Sequence, residues 1–204
     1  MPKPFESFIP GGESEDIKRE LLGVVKKEKE KEKSLEENFQ ERYARLRKEG
    51  FWNYRKAMDD VKERQTFHPT RPNRPFAFYL REKVLELLSN EINVDERDLK
   101  YYTAVSPDFR KTGIQTFHNI DAFFEIETGE AEPHRFTFRL TTNEMEKLRG
   151  ENLDELFYIT KDFPTHAYFK GKEIKGLSTS ELDWFLRKRD KLAKKIFDKF
   201  KKIM

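Results

Sequence analysis

Cysteine is absent from the 204 residues, which excludes disulfide staples, thiolate metal sites and cysteine nucleophiles. Long apolar runs are absent too. No stretch approaches the roughly 18 apolar residues needed to span a bilayer, and the opening MPKPFESFIPGG lacks the basic-then-apolar order of a secretory signal. These absences read as a soluble cytoplasmic protein with no transmembrane segment. An excess of one charge is lacking as well: 41 Lys and Arg against 38 Asp and Glu leave +3, too little to imply nucleic acid unless the charge is concentrated. No GxSxG, Walker or dinucleotide glycine pattern occurs, and Gly11 and Gly12 have no strand before them. His68, His118, His134 and His166 are scattered, without the paired spacing of a zinc site.

What the chain does have is charge of both signs and aromatic rings. Charged residues make up 39%, against the roughly 25% usual in a globular chain, so some stretch is expected to be solvated on most faces. Aromatics reach 14%, with 19 Phe, and disordered chains are poor in them, so a core exists. Residues 1–13 hold three prolines and two glycines and read as a flexible arm. Residues 14–65 lack proline and space their apolar positions (Ile17, Leu21, Val24, then Leu35, Phe39, Tyr43, Leu46) at three- and four-residue steps. This predicts a charged helical extension, restarting at the capping box of Ser34 and Glu37. The KKEKEKEK run between those stripes serves no core and reads as a solvated face. The stripe of Leu35, Phe39, Tyr43 and Leu46 is the candidate surface for a protein partner or self-association.

Residues 66–75, with Pro69, Pro72 and Pro75, read as a linker. A domain over 76–177 follows. It opens on a helix to about Ile92, then a strand at Leu99 to Val105, and two alternating strands, Gly113 to Glu127 and His134 to Thr142, joined by TGEAEP. Asn143 with Glu146 predicts a short helix, and Leu156 to Thr160 a further strand. Residues 178–204, opened by Ser178 and Glu181, read as a closing amphipathic basic helix. The fold class is therefore α+β (or α/β), a small mixed sheet with flanking helices.

Alternation places Ala122, Phe124 and Ile126 on one face of the hairpin with Phe136, Phe138 and Leu140. Burying both rows together requires a register in which facing position numbers have an even sum, because a one-residue slip turns every side chain over. Asp121, Glu125 and Glu127 then share the other face with Phe123, Arg135 and Arg139, and the pairing that joins Glu127 to Pro133 sets Asp121 opposite Arg139. A plain cross-strand charge ladder is one reading of that face. A second is suggested by the run of helix, strand YYTAV, FHNIDAFFEI, FTFRLTTN and helix, which resembles the core of the PD-(D/E)xK nuclease-like superfamily over about Phe76 to Lys147.

The resemblance implies an acidic residue on one strand and an acidic-x-Lys element on the next, holding Mg²⁺ or Mn²⁺ and positioning the attacking water. Asp121 matches the first acidic position. The second falls on Arg139, with Thr141 where lysine is expected, so the motif is broken. A working site would have to recruit Glu125 beside Asp121 as metal ligand and Lys147 to orient the water, making Asp121, Glu125 and Lys147 the candidate catalytic set. Candidate nucleic-acid contacts are Arg135, Arg139, Phe123 and the basic side of the last helix, including Arg187, Lys188, Lys191, Lys194 and Lys195. Those lysines have an ordinary alternative, which is solubility and the helix dipole. Two functions stay open: nucleic-acid binding by a nuclease-like, catalytically impaired domain, or a scaffold subunit engaging a protein partner through its helical extension.

Overall fold

The computed structural model describes residues 13–26, 39–107, 111–129, 131–147, 151–170 and 173–204, with the side chains of Glu13 and Phe39 excluded. The arm up to residue 12, most of the KKEKEKEK run, the capping box at Ser34 and the stripe residue Leu35 lie outside these residues, as does the side chain of Phe39. The chain order is α1 (Glu13–Leu22), α2 (Phe39–Lys48), α3 (Tyr54–Glu63), α4 (Pro75–Ile92), β1 (Leu99–Thr103), α5 (Gly113–His118), β2 (Ala122–Ile126), β3 (His134–Thr141), β4 (Glu155–Tyr158), β5 (Tyr168–Lys170), β6 (Glu173–Lys175) and α6 (Thr179–Ile203). The fold is α+β. Strands β1, β2 and β3 form an antiparallel meander, β4 adds parallel to β3, and β5 and β6 form a separate two-stranded ribbon.

The hairpin takes the even register: Ala122 faces Phe138, Phe124 faces Phe136 and Glu125 faces Arg135. Its apolar row packs under α4 and α6, which bring Phe76, Leu80, Val84 and Leu88 against Phe185, Leu192, Ile196 and Phe200. Pro at the first turn opens α4 and Asn93, in the left-handed region, closes it. Helix α6 starts at Ser178, whose side chain accepts from the Glu181 amide while the Glu181 carboxylate takes the Ser178 amide.

The other face, which the alternation reads as a charge ladder, is covered. Helices α3 and α5 lay Ala57, Met58, Val61 and Ile114 on Tyr102 and Phe123, with Ile120 and Leu153. The sheet is thus sandwiched between two helical layers, and its charged row is an interior row.

This corrects the organisation read from composition. Among the described residues, the stretch from Glu13 to Gln65 holds three separate helices, α1, α2 and α3. Gly23 and Gly50 both take positive φ, at 80° and 86°, breaking the helical path where only glycine turns without strain. Ile17, Leu21 and Leu22 of α1 join the same core as α4 and α6. Periodicity reports an amphipathic stripe but not what the stripe faces, so a packed helix and an extended one look alike.

The proline stretch is likewise packed, not spanning. Tyr101 N donates to Pro69 O (3.0 Å) and Gln65 bridges both backbone groups of Thr103 (2.8 and 3.2 Å). Val25 N reaches Val105 O (2.9 Å), while the Tyr101 and Thr103 hydroxyls reach Leu22 O and Gly23 O. Together these contacts close the outer edge of β1, which as a bare edge would template foreign strands. The helix predicted at Asn143 does not form within 143–147. Asn143 Oδ1 accepts from Met145 N (3.0 Å) in a turn, the local alternative that Asn offers to helix. No helix among the described residues is long and apolar enough to cross a membrane.

Candidate functional site

Asp121 lies at the junction of α5 and β2, and the chain arrives there through a short series of caps. Thr112 caps α5 and its hydroxyl donates to Ala104 O (2.9 Å), fixing α5 on the end of β1. Gln115 completes the capping box by accepting from Thr112 N (3.2 Å) and turns its amide Nε2 to Asp121 Oδ1 (2.8 Å). Asn119, at φ 58°, then swings the chain into β2.

Asp121 is 2% exposed. Its Oδ2 accepts from Leu140 N (3.1 Å) and lies 3.0 Å from Lys18 Nζ, an ammonium that also meets Glu15 Oε1 at 3.1 Å. Burial pulls the Lys18 ammonium down, and the Asp121 and Glu15 carboxylates more than offset it, so its pKa is raised above the ordinary lysine value. Lys111 shows the opposite balance: burial and the neighbouring Arg139 charge hold it below the usual lysine range.

Glu125, 1% exposed, is a second and separate charge centre. Arg135 Nε donates to its Oε1 (2.6 Å) and Lys62 Nζ sits 2.8 Å from its Oε2. Lys62 also lies over the Tyr102 ring, 5.7 Å from its centroid. Asp121 and Glu125 are four residues apart on one strand, about 13 Å at the usual rise, too far for two oxygens that must each approach one ion to about 2.1 Å. Every described partner of Asp121 is a donor from the protein itself. The expected metal pair is therefore not assembled, the donor set does not fit Mg²⁺ or Mn²⁺, and no group of three candidate ligands occurs among the described residues.

Lys147 is exposed on the 143–147 turn and lines a cleft of about 620 Å³ beside Asn119, Arg139, Glu146, Leu153 and Leu156. It faces the cleft, not the two carboxylates. Arg139 was expected to pair with Asp121 and does not. Its Nη1 donates to Asn119 Oδ1 (3.0 Å) and its Nη2 lies 3.0 Å from Glu146 Oε1, while the second Glu146 oxygen accepts from the Thr141 hydroxyl. Lys18 reaches Asp121 first because α1 docks across that end of the sheet.

Other expected contacts change character. Phe123 is fully buried, stacked on Tyr102 with centroids 4.9 Å apart, so it offers no face to a base. Leu46 is fully buried and unavailable to a partner, whereas Tyr43 stays partly exposed against Phe117. On α6, Arg187 pairs with Asp183 (2.8 Å), Lys194 with Asp198 (2.7 Å) and Lys195 with Glu155 (2.6 Å). Lys188 caps Tyr158 O at 3.3 Å, with burial, then Lys191, lowering its pKa. Of that set, Lys191 alone is exposed with no acidic partner among the described residues. The basic side of the helix is largely neutralised by acids on itself and on β4.

His118 packs edge-on against Tyr54, at 5.3 Å between centroids, with Nε2 unpartnered, and burial lowers its pKa. Burial also pushes the Tyr54 phenol up to about 12. No known family, characterised protein or solved structure matches this chain. The chain's own chemistry has to carry the functional reading. Sequence reasoning passed over Lys18, Gln115 and Asn119 and read Glu146 only as a helix cap; of the first three, only the Thr112-x-x-Gln115 spacing carried a legible signal, that of a capping box.

Proposed function

We propose that this protein binds nucleic acid through a nuclease-like domain that does not cleave. The observation that carries the loss of cleavage is the Lys18 ammonium held on Asp121. In the nuclease-like scheme that carboxylate holds a divalent ion, which neutralises charge on the scissile phosphate and lowers the pKa of a bound water. An ammonium supplies the charge but has no coordination position for water, so the step that makes hydroxide is lost. Support also comes from the element order α4, β1, β2, β3, with the short α5 inserted between β1 and β2, and from Asp121 adjoining a β3 that carries Arg139 and Thr141. Both positions are electrically unlike an acidic-x-Lys pair.

The test is fluorescence anisotropy of labelled single- and double-stranded oligonucleotides over a salt series, with Mn²⁺ present and product length read from the same samples. Affinity should fall steeply as salt rises, and product length should stay constant. Shortened product would overturn the loss of cleavage, and absence of binding at low salt would overturn the binding itself. In that second case the scaffold reading gains, through the α2–α3 corner, where Trp52 is 62% exposed and Tyr43 lies nearby in sequence.

A further inference from the structure

We infer that the cleft beside Asn119 and Arg139 seats a single terminal nucleotide, its phosphate on Arg139 and Lys147 and its base against Leu153, Leu156 and Met145. This rests on the nucleic-acid reading and gives it a place. A volume of about 620 Å³ falls in the range of pockets that enclose one small organic ligand, not a run of a strand. The lining is divided as a nucleotide is divided. Leu156 and the edge of the largely buried Leu153 form a small apolar part, Asn119, Asn143 and Glu146 are polar, Arg139 and Lys147 are cationic, and Met145, at 84% exposure, is an apolar side chain with little covering it.

Arg139 is prepared for an anion. Its side chain is only 22% exposed, and Asn119 and Glu146 orient it, so its charge acts in a partly desolvated setting where attraction is stronger than in water. A guanidinium has five N–H donors in a planar fork suited to phosphate. Glu146 is the feature that turns this geometry into a test. Its carboxylate already lies against Arg139 as an internal anion, and it is anchored independently by the Thr141 hydroxyl. A phosphate entering the cleft competes with Glu146 for Arg139. Removing the charge of Glu146 should then strengthen phosphate binding, the reverse of what a purely structural salt bridge predicts.

The experiment uses the full chain and four probes: AMP, inorganic phosphate, and one oligonucleotide with either a 5′-phosphate or a 5′-hydroxyl. The phosphorylated end should bind about tenfold more tightly, the equivalent of about 1.4 kcal/mol. AMP should compete for it and inorganic phosphate should compete less well. Lys147→Ala should remove most of the difference between the two ends, and Glu146→Gln should enlarge it; circular dichroism of both variants checks that they fold. Equal affinity for the two ends without competition by AMP overturns the cleft assignment, and salt-dependent binding that survives leaves the broader reading intact. AMP binding without oligonucleotide binding supports the cleft as a site for free nucleotides and overturns the nucleic-acid reading. Competition by inorganic phosphate equal to that by AMP overturns the base contact.

Discussion

Asp121, just before β2, and Glu125, within it, are both buried carboxylates, yet they are held by very different means. Glu125 is answered locally: Arg135 is its cross-strand partner, and alternation alone put the two side by side. Asp121 is answered by Lys18, with both side chains at 5% exposure or less. No period links residues so far apart in sequence, so the aspartate's face was legible and its partner was not. Breaking such a pair on one side leaves a buried charge uncompensated, which costs about 3–5 kcal/mol. Lys18→Met is accordingly expected to lower unfolding stability by that order in a denaturant titration, and adding Asp121→Asn should restore much of the loss. A Lys18→Met protein that unfolds at the parent midpoint would show that the pair is not a structural element.

The long helices were the elements the period made legible. The 18 residues of α4 and 25 of α6 carry enough turns for the helical period to show, and α6 has a capping box as well. Helix α5 has six residues, under two turns, and was read as part of a strand; β5 and β6 have three each and left no signal. Yet α5 is the element that positions Gln115 and Asn119 at the site. Its first residue, Gly113, lies beneath Phe51, and a Cβ built there would come 2.7 Å from the Phe51 Cβ. Helix propensity alone predicts that Gly113→Ala stabilises by up to about 1 kcal/mol. The packing predicts the opposite, a loss of about 1–3 kcal/mol, because a Cβ cannot rotate away as a side-chain tip can. The sign of the change in melting temperature decides between them.

At the scale of the whole molecule, the high charge content pointed to a separate, solvated extension. Much of that charge instead ties elements together, as Lys199 does with Asp154, Lys195 with Glu155 and Arg74 with Glu20. With α1 in the same core as α4 and α6, and α3 covering the sheet, thermal unfolding is expected to be one cooperative step. Trp52 on the α2–α3 corner and Trp184 on α6 report it separately, by fluorescence of Trp184→Phe and Trp52→Phe proteins. Coincident midpoints fit a single body, and two midpoints would restore an independently folding extension.

The strap across β1 has a consequence for how copies of the chain could meet. With Gly23, Val25, Gln65 and Pro69 bonded along that side, β4 is the remaining border of the main sheet among the described residues, its Tyr158 carbonyl met by Lys188. Two copies joined there in antiparallel fashion would each spend the same border, and neither main sheet would have another to offer among the described residues. Association by that route therefore terminates at a pair and does not propagate into a fibre.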